Sequence, residues 1–160
     1  MGTPVFRTIQ PRVLPADTRF AVVVARYNEA ITRRLLDGAL ATFRASGVSD
    51  DAIDVVWVPG AWEIPVVVQR LGRGHRYAAI VCLGAVIRGE TSHDEHINRQ
   101  VSHSLGHLAL ELDLPVAFGV LTCHNWEQAL NRAGGNAGNK GSESAAAALE
   151  MAGLLKALDP

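Results

Sequence analysis

The chain has only two cysteines, Cys82 and Cys123, each in an apolar segment. Two such thiols make no disulfide framework, so a reducing cytoplasm fits best. No stretch reaches the roughly 18 uninterrupted apolar residues of a membrane span. A charge excess is missing too. With 15 Lys and Arg against 16 Asp and Glu, nothing favours nucleic acid or an anionic membrane as a partner. The opening MGTPVFRTIQPRVLPADTR carries no apolar core or cleavage region of a secretory signal. Gly2 alone does not complete a myristoylation pattern. The phosphate loop Gly-x-x-x-x-Gly-Lys-Ser/Thr is absent, and no Gly-x-Gly-x-x-Gly follows the first strand. There is no internal repeat and no dividing linker. The 160 residues are read as an extended arm over 1–18 and one domain over 19–160, large enough for a core.

What is present alternates. Pro4, Pro11 and Pro15 mark the arm. Phe20–Ala25 is a β-branched run of the kind buried on both faces. Ile31, Leu35, Leu36, Ala39, Leu40 and Phe43 recur at helical spacing, predicting a helix over Ala30–Ser46 with Gly47 as its stop. A second strand is expected over Ile53–Val58 and a helix from Ile64–Pro65. A third strand follows over Ala78–Ala85, then a long helix over His93–Leu112 and a fourth strand over Val116–Thr122. Asn125 is expected to cap a short helix ending at Arg132. The glycine-rich GGNAGNKG reads as a turn before a last helix over Ser142–Ala157. Four strand–helix alternations predict an α/β fold, a four-stranded parallel sheet covered by helices on both faces.

In such folds ligands sit at the carboxyl ends of the strands. That rule selects Arg26–Asn28, Gly60–Glu63, Arg88–His93 and the chain from Thr122 onward. In RGETSH, Gly89 permits a sharp turn, and Thr91 and Ser92 open the next helix, whose free N–H groups suit an anion. His93 falls in the first turn, where an imidazole can move protons near neutral pH. The plainer reading is a helix cap followed by a surface histidine. Tyr27 offers a face for a planar ring, or is simply half-buried at a strand end. Arg132 is able to grip a phosphate, but complementing the end of its own helix is the simpler role. His93, His96, His103 and His107 share one side of the long helix. No His-Glu-x-x-His and no third ligand accompany them, so packing or hydrogen bonding at an interface is expected and no metal.

Taken together and in order, ARYN, VPGAWEIP, LGAVIRGETSH, FGVLT, NRAG and AGNKG resemble the lumazine synthase (6,7-dimethyl-8-ribityllumazine synthase) family over about Phe20–Leu155. The resemblance implies a three-layer, flavodoxin-like sandwich. It implies condensation of 5-amino-6-(D-ribitylamino)uracil with 3,4-dihydroxy-2-butanone 4-phosphate, releasing phosphate and water, with no cofactor. By residue, it gives Tyr27 the stacking role on the pyrimidine. Ala61, Trp62 and Glu63 fall to the ribityl and pyrimidine contact, Ala85, Val86 and Ile87 to the ring pocket. Gly89, Glu90, Thr91 and Arg132 fall to the phosphate, His93 to proton transfer. Lys140 stands near the pocket, and Phe118 is the aromatic lent by a neighbouring subunit.

The same resemblance implies a homo-oligomer with sites between subunits: a pentamer, and a closed shell of pentamers because RAGGNAGNKG has no lengthened turn. Riboflavin synthase is a candidate partner, and the Pro11 arm is expected to add to a neighbour's sheet edge. The chain departs from the family's common Phe-Asp-Tyr after the histidine, having Asp94, Glu95 and His96. Either Asp94 or Glu95 would then orient His93. This departure motivates an alternative, a shell-forming or flavin- or lumazine-binding protein impaired in catalysis.

Overall fold

A computed structural model describes residues 6–159, so the start of the expected arm lies outside the described residues. The β-branched run forms β1 (Phe20–Ala25), buried on both faces along its whole length. It pairs in parallel with β2 (Ile53–Val58) on one side and β3 (Ala79–Ile87) on the other. Beyond β3 lies β4 (Val116–Cys123), also parallel, giving the order β2-β1-β3-β4.

Side chains alternate across this sheet, as a period of two requires. Phe20, Val22, Val24, Val81 and Leu83 pack under α1 (Glu29–Ala45) and α5 (Lys140–Leu158). Ala21, Val23, Ile80 and Cys82 pack under α2 (Ile64–Gly72) and α3 (His93–Glu111). The result is the three-layer, flavodoxin-like arrangement. Each large side chain withdrawn from water contributes about 1.5–3 kcal/mol, and β1 contributes to both faces at once. No helix among the described residues is long and apolar enough to cross a membrane.

Helix α5 carries small buried residues, Ala145, Ala148 and Ala152, which let it lie close to α1. The approach is tightest at Gly141, where an added Cβ would land on the Leu35 carbonyl. Asn139 fastens the same junction. Its Oδ1 accepts from the amides of Gly141 and Ser142, and its Nδ2 donates to the Arg34 carbonyl of α1 at 2.9 Å.

The structure refines three expectations. The glycine-rich segment after α4 (Trp126–Arg132) is a small antiparallel hairpin, β5 (Ala133–Gly135) with β6 (Gly138–Asn139). Helix α5 begins at Lys140, two residues earlier than expected, because Asn139 caps it. The arm folds back on its own chain at Arg12, whose N–H donates to the Gly153 carbonyl of α5 at 2.9 Å. A Cβ at Gly153 would stand 2.6 Å from the Arg12 carbonyl oxygen.

Candidate active site

All four strands deliver the chain to one edge. The connection from β1 leads to β2 on one side, and the connection from β2 crosses back to β3 on the other, which opens a crevice at this switch point. Its volume is about 530 Å³, room for a drug-sized ligand.

The β1 exit is fixed first. Arg26 N–H donates to the Val58 carbonyl at 2.8 Å and Tyr27 N–H to the Pro59 carbonyl at 3.0 Å, extending the β1–β2 ladder past both strands. Tyr27 therefore stands at the mouth with its side chain largely in solvent. The β2 exit supplies a second wall, where Ala61–Glu63 forms a single 3-10 turn. Gly60 N–H donates to Glu63 Oε2 at 2.9 Å, which holds the carboxylate at the crevice rim. Ala61 is buried beneath this turn, whereas Trp62 is 55% exposed.

The floor comes from β3. Ala85 and Val86 are buried, and Ile87 is half-buried. The chain then turns through Gly89 and Thr91 into α3, whose first residues His93 and Asp94 complete the lining with Ile97. The His93 N–H donates to Thr91 Oγ1 at 3.4 Å, a long bond across the turn that enters α3.

The crevice thus gathers Tyr27, Ala61, Trp62, Glu63, Ala85, Val86, Ile87, Gly89, Thr91 and His93. Glu90, Phe118, Arg132 and Lys140 are not on its lining. Glu90 is exposed in the turn between two lining residues. Arg132 ends α4 close enough to Cys123, the last residue of β4, for its charge to act there. Burial pushes the Cys123 thiol up, and the Arg132 guanidinium pulls it partly back. Lys140 Nζ pairs with Glu143 Oε2 at 3.0 Å. Phe118 lies on β4 opposite Cys82, three pairs below the Leu121–Ala85 level, and is 41% exposed.

Pro59 and Ile97 also line the crevice, and both fall outside the strand-end segments that the sequence singles out. Gly60 lies inside one of those segments and lines the crevice as well, through a backbone that carries no side-chain signal. The break at Pro59 and the apolar stripe of α3 were the signals available. Asp94, named in the sequence only as one of two acids, is on the lining; Glu95 is not. Cys82 is sealed in the core, and burial alone raises its thiol far above the ordinary range, so it offers no nucleophile. Among the described residues no three His, Cys, Asp or Glu side chains converge as a metal would need. On the side of α3 that borders α2, His107 Nε2 instead lies 3.6 Å from Glu111 Oε2.

The pattern of the 6,7-dimethyl-8-ribityllumazine synthase family matches residues 17–156. A chloroplastic 6,7-dimethyl-8-ribityllumazine synthase of Spinacia oleracea is 56% identical over 138 residues. That span is 86% of this chain and 62% of the spinach protein, so the chain covers less than two thirds of that relative. A 6,7-dimethyl-8-ribityllumazine synthase of Clostridium kluyveri is 48% identical over 141 residues, 88% of this chain and 92% of the relative. The sheet order, the crevice at its switch point and a family match over nearly every element lead to one conclusion: the chain belongs to the 6,7-dimethyl-8-ribityllumazine synthase family.

Proposed function

We propose that this crevice is the condensing site of a transferase that joins 5-amino-6-(D-ribitylamino)uracil to 3,4-dihydroxy-2-butanone 4-phosphate, giving 6,7-dimethyl-8-ribityllumazine. The observation that carries the reading is one cavity holding an exposed aromatic face, a rim carboxylate, an apolar floor and a histidine at a helix start. A planar pyrimidine stacks on Tyr27 over Ala85 and Val86, and its ribityl hydroxyls meet Glu63 and the turn at Ala61 and Trp62. Glu63 keeps its orientation for this because Gly60 already binds one of its oxygens.

The phosphorylated substrate enters from the other side. Its phosphate takes the amides of the Gly89–Thr91 turn at the entry of α3, where the helix dipole favours an anion. Arg132 supplies the countercharge from the end of α4, and Lys140 belongs to the pyrimidine and ribityl side of the pocket. The uracil 5-amino group attacks the substrate carbonyl, and water leaves as the imine forms. Loss of phosphate and ring closure by the ribityl-bearing nitrogen follow, and the second condensation expels another water. Every step moves a proton, and His93 at the mouth is placed to take and return it. Orientation of two bound substrates contributes much of the rate, up to about 7–11 kcal/mol in ideal cases. No side-chain nucleophile and no cofactor enters the scheme.

The site is completed by a second copy of the chain. Tyr27 and Trp62 are largely uncovered, and Phe118 faces outward from the β4 edge at a level too low for its own crevice. We assign Phe118 to the crevice of an adjacent copy, in a pentamer, with pentamers closing into a shell. The short hairpin at Ala133–Asn139 favours the shell because it adds no protruding loop there. The arm over 1–18 and the single domain over 19–160 remain the division we propose. The two free thiols, Cys82 and Cys123, suit a reducing compartment such as the cytoplasm, where riboflavin synthase would take the product.

The test is a turnover assay with both substrates, following lumazine absorbance. Product formed at a rate proportional to protein supports the reading. Pyrimidine binding without product would mean a binding protein in the same fold.

A further inference from the structure

We propose that Asn28 is a positioning residue that sets where Tyr27 presents its ring. The inference rests on the reading of the crevice as the pyrimidine site. Asn28 follows Tyr27 and is one of three non-glycine residues at positive φ among the described residues, with φ 60 and ψ 45. That left-handed conformation disfavours most side chains, and asparagine is among the few that adopt it routinely.

Three elements meet at this residue. Its backbone carbonyl accepts from Ile31 N–H at 2.9 Å and Thr32 N–H at 3.1 Å, starting α1. Its side-chain Nδ2 donates to the Ala85 carbonyl of β3 at 2.8 Å. The β1–β3 pairing ends at Val24–Leu83, so this bond ties the strand exits together beyond the last backbone pair. The residue before it is tied to the β2 exit through Pro59. The Tyr27 backbone is therefore held from both sides, by Pro59 directly and by Ala85 through the Asn28 amide.

The Asn28 bond ends on Ala85, part of the crevice floor, and starts from the residue that follows Tyr27 at the crevice mouth. The bond fixes the gap between stacking face and floor, the dimension a planar ring must match. Little else restrains Tyr27, whose side chain is 73% exposed. A residue with this role should affect the pyrimidine and leave the phosphate end of the site unchanged.

Two variants separate the amide from the backbone. Asn28→Gly keeps the left-handed conformation and removes the donor. Asn28→Asp keeps the size and sets an acceptor against the Ala85 carbonyl. We expect the pyrimidine Kd, read by tryptophan fluorescence, and the pyrimidine KM each to rise about tenfold in both variants, the loss of roughly one hydrogen bond. The KM of the phosphorylated substrate should stay within about twofold, and combining Asn28→Gly with Tyr27→Ala should weaken pyrimidine binding no further than Tyr27→Ala alone. A pyrimidine Kd within about twofold of wild type in both folded variants overturns the proposal, as do additive effects with Tyr27→Ala. If the wild type binds the pyrimidine without turning over, the catalytic reading fails while the Kd comparison still decides the role of Asn28.

Discussion

The two edges of the sheet are built in opposite ways. At the amino edge, charged and polar side chains are paired with one another. Asp54 Oδ2 accepts from Tyr77 O–H at 2.6 Å and from Arg19 Nη2 at 3.0 Å, and Arg19 Nη1 donates to the Asp51 carbonyl at 3.0 Å. At the carboxyl edge, the contacts around the crevice have a backbone group at one end or both, and the aromatic and imidazole side chains they present are exposed. Tyr27, Trp62 and His93 stand in solvent on a scaffold set by Pro59, Gly60 and Ala85. One edge pairs charged and polar side chains with one another; the other leaves Tyr27, Trp62 and His93 exposed around the crevice.

Substitutions should expose this difference, with the largest effect at the carboxyl edge. Arg132→Ala should lower kcat/KM for the phosphorylated substrate about 100-fold, the scale of a lost charge-assisted bond. Its thermal midpoint should barely change. Steady-state kinetics in that substrate, beside a melting curve, would check both halves. His93→Ala should lower kcat about tenfold, less than a sole acid–base group would cost, because water bound beside the substrates carries protons in its place. Added imidazole buffer should restore part of the loss.

At the amino edge the same experiments should reverse. Tyr77→Phe should cost about 1 kcal/mol of stability in a denaturant titration, with turnover unchanged. Asp54→Asn should cost less than the loss of a buried ion pair would, since solvent screens this one. The Tyr77 hydroxyl, and then Arg19, hold the Asp54 carboxyl below its ordinary value of 3.8. The folded state therefore gives up that proton more readily than the unfolded state. Its contribution is complete above 3.8 and is lost as pH falls through the lower folded value. Burial, and then Asp54, raise Tyr77 above its ordinary 10.0, so its contribution is complete below that pH and is lost as pH rises through the higher folded value. Denaturation of wild type and Asp54→Asn should accordingly converge in acid.

The smallest effect belongs to the arm. Gly153→Ala should displace Arg12 from α5, speeding amide exchange and proteolysis near Arg12 with turnover unchanged.

Much of this was legible in the sequence because the signals were side-chain patterns. The β-branched Phe20–Ala25 reads as a buried strand, and the apolar residues that α3 buries, Val101, Leu105 and Leu108, stand at helical spacing. The rule that ligands bind at strand ends then found most of the crevice. What stayed hidden lives in backbone geometry. Ala133–Asn139 has almost no side-chain pattern, so its hairpin was not visible. Asn139 could have been read as a cap, but its second bond to Arg34 depends on the packing of α5 on α1. Asn28 carried a turn signal and nothing more; its partner, Ala85, is 57 residues away. Phe118 and Arg132 were named from resemblance, and a single chain leaves both outside the crevice.

The most direct test of the central claim is a crystal structure with the ribitylaminouracil substrate bound. We predict its ring on Tyr27 above Ala85 and Val86, its ribityl chain at Glu63, and Phe118 of an adjacent copy closing over it. A pyrimidine bound at any other edge of the sheet would contradict the account.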